Sequence, residues 1–103
     1  MPASGAVNIK ELFTPLSLAY LICDDGYYHK KENYVIIATN SYTKKEVDLL
    51  IDVLNNKFNL ISYSLKDGNG NFVIRISSKS IVTLQTLLKP LIPEFMKYKI
   101  GLK

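Results

Sequence analysis

Apolar and polar positions alternate along this 103-residue chain with two periods, one suited to helices and one to strands. Thr14-Pro15 opens the first helical stretch, with threonine as N-cap and proline in the first turn, where its missing N–H costs nothing. Leu16, Leu18, Ala19, Leu21, Ile22 and Cys23 continue the stretch, and Gly26 stops it. Tyr27 to Lys30 predicts a short strand, 31–33 a turn, and Tyr34 to Thr39 a second, β-branched strand. Thr43-Lys44-Lys45-Glu46 is a capping box, and behind it Val47, Leu50, Ile51, Leu54 and Phe58 recur at helical spacing. Leu60 to Lys66 alternates again, Asp67-Gly68-Asn69-Gly70-Asn71 predicts a hairpin turn, and Phe72 to Ile76 the returning strand. Ser80 is the expected cap of a last helix carrying Ile81, Leu84, Leu87 and Leu88, which Pro90 ends. Pro93 then introduces a tail bearing Lys97, Lys99 and Lys103.

The order α-β-β-α-β-β-α predicts an α+β fold. Its two hairpins merge into one four-stranded antiparallel sheet with helices on a single face, leaving the other face free. Residues 1–13 are expected to form an N-terminal arm, and residues 14–103 a single domain.

Composition narrows the chemistry. With one cysteine and one histidine, neither a disulfide framework nor a structural zinc site can be built. No run approaches the ~20 apolar residues of a membrane span, so no membrane partner is expected. The N-terminus places no basic segment before an apolar one and does not read as a secretory signal. The net charge is +4, from 13 basic residues of which only Arg75 is arginine, and this suits an anionic partner. Abundant Lys, Asn, Ile and Tyr without Trp match the bias of A/T-rich organellar coding. Catalysis must therefore come from carboxylates, lysines or a metal held by oxygen.

Two features of the first helix stand out. Pro15 to Cys23 is apolar nearly all round, so the helix is either wrapped by its own domain or packed against a second copy or another domain. Asp24 and Asp25 fall at the negative end of its macrodipole, where a carboxylate is disfavoured by roughly 0.3–1 kcal/mol. They form either a solvated turn or a site for a divalent cation. Mg²⁺ fits best, because it keeps several waters and binds through one or two carboxylates plus phosphate oxygens.

Leu18-Ala19-Tyr20-Leu21-Ile22-Cys23-Asp24-Asp25-Gly26 resembles the signature of the LAGLIDADG homing endonucleases, matching it at Leu18, Ala19, Leu21, Ile22, Asp25 and Gly26. The element order agrees with the family's αββαββα half-unit, and Ile92-Pro93-Glu94-Phe95-Met96-Lys97-Tyr98-Lys99-Ile100 is similar to the close of its mitochondrial-intron branch. The resemblance implies that Asp25 is a catalytic, metal-binding acid, with Mg²⁺ or Mn²⁺ as cofactor. It implies that the backbone carbonyl of Asp24 assists in holding metal, and that Lys99 lines the cleavage pocket. It assigns Leu18, Ala19, Tyr20, Ile22, Cys23 and Gly26 to a motif helix that pairs with a second such helix. Tyr20 replaces the glycine that lets two motif helices approach closely. That departure weighs against a tight symmetric pair and points to descent from a C-terminal half. Cys23 replaces an acid that is not the catalytic one.

One motif supplies one essential acid, and cutting both strands takes two hydrolytic events. The implied enzyme is thus a homodimer or pairs with a second LAGLIDADG half. Its free sheet face would lie on double-stranded DNA, whose major groove admits a β-ribbon. Period-2 alternation nominates Tyr28 and Lys30 on the first strand, Ser62, Ser64 and Lys66 on the third, and Arg75 and Ser77 on the fourth, with Lys97 from the tail. The competing reading is an RNA-binding module, a maturase or ribonucleoprotein component on structured intron or ribosomal RNA, which keeps the basic sheet without cutting. A mitochondrial location is expected under either.

Overall fold

The computed structural model describes residues 9–102. In chain order these form α1 (Ile9–Leu12), α2 (Pro15–Asp25), β1 (Gly26–His29), β2 (Tyr34–Ala38), α3 (Lys44–Asn56), β3 (Ser62–Lys66) and β4 (Phe72–Ile76). A 3₁₀ turn at Ser78–Ser80 leads into α4 (Ile81–Leu88), and a 3₁₀ run spans Glu94–Ile100. Of the expected arm, positions 1–8 lie outside the described residues, while Ile9–Leu12 is helical. Lys57 fastens that helix: its ammonium donates to the carbonyl oxygens of Lys10 at 2.7 Å and Phe13 at 2.9 Å, groups that a helix end leaves unsatisfied.

Capping chemistry sets both major helix starts. The Thr14 Oγ1 accepts from the Ser17 N–H and the Ser17 Oγ from the Thr14 N–H, both at 3.1 Å. In α3 the Thr43 Oγ1 accepts from the Glu46 N–H at 3.1 Å, and the Glu46 carboxylate accepts from the Thr43 N–H at 2.8 Å. Ser80 departs from expectation. It makes no cap for α4; its Oγ accepts from the Ile61 N–H at 2.6 Å, tying the entry of β3 to the start of α4. The preceding Ser77 caps the 3₁₀ turn instead, accepting from the Lys79 N–H at 3.2 Å.

The four strands form one antiparallel sheet in the order β1-β2-β4-β3. Val35 and Ile37 of β2 and Ile74 and Ile76 of β4 are fully buried. They join a core with Leu18 and Ile22 of α2, Val47, Leu50, Val53 and Leu54 of α3, and Ile81, Leu84 and Leu88 of α4. The helices therefore cover one face and the other is open. No helix among the described residues is long and apolar enough to cross a membrane.

Register decides which side chains share a face, and on β3 it reverses the expectation. Ser62 pairs with Ile76 and Ser64 with Ile74, so Ser62, Ser64 and Lys66 lie on the helix side, while Tyr63 and Leu65 lie on the open side. Ser62 is buried there because Asn55 satisfies it: the Asn55 Oδ1 accepts from the Ser62 N–H at 2.9 Å and from its hydroxyl at 2.7 Å. Lys66 extends along the same side, its ammonium 5.7 Å from the Phe72 ring centroid. Tyr28, opposite Val35, also faces the helix side and packs on the core.

The passage from α2 to β1 has no connector: Asp25 is the last helical residue and Gly26 the first of the strand. Glycine is required at this junction by space. A Cβ on Gly26 would stand 2.5 Å from the Ile22 carbonyl oxygen, and the backbone there is already extended (φ −90°, ψ 151°). Gly101 is the second such position, at φ +82° with its missing Cβ 2.7 Å from the Tyr28 ring.

Candidate functional site

Three parts of the fold meet at the end of α2. Asp24 and Asp25 are exposed at its tip, where the helix dipole disfavours negative charge. The 3₁₀ run brings in Lys99, whose ammonium donates to the Gly26 carbonyl oxygen at 3.0 Å. This bond spans 73 residues of sequence and sets a cation against the first peptide after the acids. Beside it opens a cleft of about 600 Å³ lined by Tyr27, Tyr28, Lys30, Tyr98 and Lys99. Lys30 therefore belongs to this cleft, in the β1–β2 turn, and not to the open sheet face. Lys97 is turned away from it and pairs with Glu94 at 2.7 Å, its side chain 13% exposed.

The donor set suits a hard cation only in part. Two carboxylates with open solvent around them match the one or two that Mg²⁺ takes, the remaining positions falling to water and phosphate oxygens. No third His, Cys, Asp or Glu joins them among the described residues. A single copy of the tip thus offers a partial site. Tyr42 stands in the field of this tip. Burial pushes its phenol above the ordinary value, and the charges of Asp25 and Glu46 push it the same way.

Along α2 the nominated pairing residues divide. Leu18, Ile22 and Gly26 are buried within this domain's own core and are unavailable to a partner. On the outward side Leu16 is 45% and Tyr20 66% exposed. They border a groove of about 260 Å³ that also touches Ala19, Cys23, Leu91 and Phe95. Burial pushes the Cys23 thiol up, the Lys99 cation draws it down, and Asp24 pushes it up. Cys23 is only partly buried, less enclosed than a core cysteine.

The open sheet face is aromatic and apolar, without a single carboxylate on its strand positions. Tyr27 and His29 of β1, Tyr34 and Ile36 of β2, Val73 and Arg75 of β4, and Tyr63 and Leu65 of β3 share it. Of the residues nominated for nucleic acid, Arg75 lies there. Ser77, just past the strand, has its hydroxyl engaged by the 3₁₀ turn. His29, Tyr34 and Tyr63 were not nominated, although the alternation around Val35 and Ile37 already places Tyr34 outside.

Comparison with known proteins agrees with this architecture. The model of the LAGLIDADG DNA endonuclease family matches residues 6–84. The cytochrome b mRNA maturase bI2 of Saccharomyces cerevisiae is 36% identical over 107 residues, covering 95% of this chain and 25% of the maturase. A probable intron-encoded endonuclease 1 of Wickerhamomyces canadensis is 38% identical over 92 residues, covering 84% of this chain and 39% of that protein. The solved structure of the homing endonuclease I-WcaI bound to its DNA recognition sequence superimposes with a TM-score of 0.82 at 31% identity, covering 93% of this chain and 45% of that one. The chain therefore spans a quarter to two fifths of these curated relatives and less than half of the solved structure.

Proposed function

Because this chain belongs to the LAGLIDADG DNA endonuclease family, we propose that it is one half of a Mg²⁺-dependent, site-specific nuclease for double-stranded DNA. The half is completed by a second copy or by another LAGLIDADG half. The observation that carries this reading is the exposed Leu16–Tyr20 side of α2, which runs toward the Asp24–Asp25 tip. A helix laid along that side brings a second acid to the first, and the partial donor set of one tip becomes a shared one. The apolar groove beside it gives the partner helix a surface to bury.

In this reading the Asp25 carboxylate and the Asp24 carbonyl hold the cation. When bound, Mg²⁺ supplies charge stabilisation to a phosphodiester under in-line attack by water. Lys99, already hydrogen-bonded at Gly26, offers positive charge to the phosphate as negative charge develops on it. The open sheet face lies on the duplex. An organellar, mitochondrial setting fits the amino-acid bias and two relatives named cytochrome b mRNA maturases.

Those two relatives also favour a second reading, in which the sheet binds intron RNA and no strand is cut. Its tyrosines suit unstacked bases. One experiment separates the two. Purified chain, alone and mixed with a second LAGLIDADG half, is incubated with a library of duplexes with Mg²⁺, with Mn²⁺ and with EDTA. Metal-dependent nicking or cutting that Asp25→Asn abolishes, with duplex binding retained, supports the nuclease. Binding to RNA with no cleavage of any duplex supports the module.

A further inference from the structure

Within the proposed DNA-binding reading, on which this rests, we infer that Arg75 reads a guanine in the major groove and that Tyr34 and His29 position it to do so. Arg75 is the chain's sole arginine, and it stands on β4, one of the two inner strands of the open face. Its guanidinium carbon lies 3.8 Å from the Tyr34 ring centroid. Tyr34 in turn stacks on His29, with centroids 4.6 Å apart and planes 12° from parallel. The His29 Nδ1 accepts from the Glu32 N–H at 3.1 Å, which anchors the far end of the stack to the β1–β2 turn. Three side chains from three adjacent strands thus form one row across the sheet.

This row leaves the guanidinium both fixed and unused. Its Nε is buried with no partner, and the group makes no salt bridge or hydrogen bond among the described residues. A buried donor without a partner is rare and calls for an explanation. Here the covered atom is at the stem of a guanidinium laid against the Tyr34 ring. The terminal amino groups are left for a ligand. A planar, stacked guanidinium with both terminal amino groups free matches the O6 and N7 acceptors of guanine, the commonest specific arginine contact with DNA. No carboxylate on the open strands competes for it. Lysine cannot replace it, since an ammonium neither stacks nor bonds in a bidentate way.

The test is selection of the full chain on a randomised duplex pool, with a randomised RNA pool in parallel, followed by affinity measurements on the winners. Wild-type protein is expected to enrich duplexes with an invariant guanine at one position per half-site. Replacing that base should weaken binding about tenfold or more, the scale of a lost bidentate pair. Arg75→Ala and Arg75→Lys should each make that one position degenerate while the rest of the consensus survives. Tyr34→Leu should relax the same position, and Tyr34→Phe, which keeps the ring, should restore it; a purely structural role for Tyr34 would shift melting temperature without changing base preference there. If the wild type enriches duplexes but all four variants return its consensus, the assignment of Arg75 is overturned and the DNA-binding reading stands. If no duplex is enriched by the chain alone or mixed with a second LAGLIDADG half, or only RNA is, both are overturned.

Discussion

Glu94 and Lys97 illustrate how one contact diverts a residue from an expected role. Lys97 has the charge of a phosphate-binding tail residue, but its ammonium lies 2.7 Å from the Glu94 carboxylate. That hydrogen bond and the Lys97 charge hold Glu94 below its ordinary value of 4.5, slightly opposed by burial and aided by Lys89. A carboxyl depressed in the folded state contributes stability above its unfolded pKa, and loses it as pH falls through the folded one. Replacing Lys97 by Met should therefore raise the Glu94 midpoint in a carboxyl-resolved NMR titration. It should also remove part of the acid-side slope of stability, because the contribution is lost at neutral pH and is absent from either protein well below the folded midpoint. Asp25 is exposed, next to Asp24 at a helix C-terminus, where the helix dipole disfavours negative charge.

At the scale of elements, the Thr43–Glu46 capping box, the Thr14 cap, both hairpins and the strand–helix order are legible in the residues, because caps and turn chemistry act locally. The reciprocal Ser17 bond to Thr14 is added by the structure. What was not legible was the face of β3. Polar side chains are ordinarily outside, and Ser62, Ser64 and Lys66 satisfied that rule; the structure inverts it. Asn55, on the preceding helix, supplies both partners that Ser62 needs inside. Tyr63 and Leu65 stay outside because the open face is itself apolar. Neither compensation leaves a trace in the alternation of a single strand. Register against β4 carries the information, since its buried Ile74 and Ile76 fix the parity of their partners. Ser80 is a similar case, a serine in cap position whose hydroxyl bonds a neighbouring strand. Ser80→Ala strands the Ile61 N–H and should cost about 1–3 kcal/mol by chemical denaturation. Thr43→Ala, which breaks the α3 box, should cost about 1 kcal/mol.

For the whole molecule, the outward side of α2 is the main asymmetry: Tyr20 and Phe95 are 66% and 78% exposed beside an apolar groove, on a domain whose own core is complete. Tyr20→Glu should weaken association with a second half by about 2 kcal/mol or more, measured by sedimentation, while the monomer's melting temperature stays within a degree or two. The direct passage from Asp25 to Gly26 has a mechanical consequence. Helix and strand are one lever, so the acid cannot stay still while the β1–β2 hairpin tilts. Under the proposed nuclease reading, a poor fit to DNA would be converted into misalignment at the scissile bond, a form of proofreading that needs no moving lid. Inserting one glycine between Asp25 and Gly26 should slacken the lever, and cleavage of mismatched sites, scored against cognate sites in one reaction, should lose its discrimination as total activity falls.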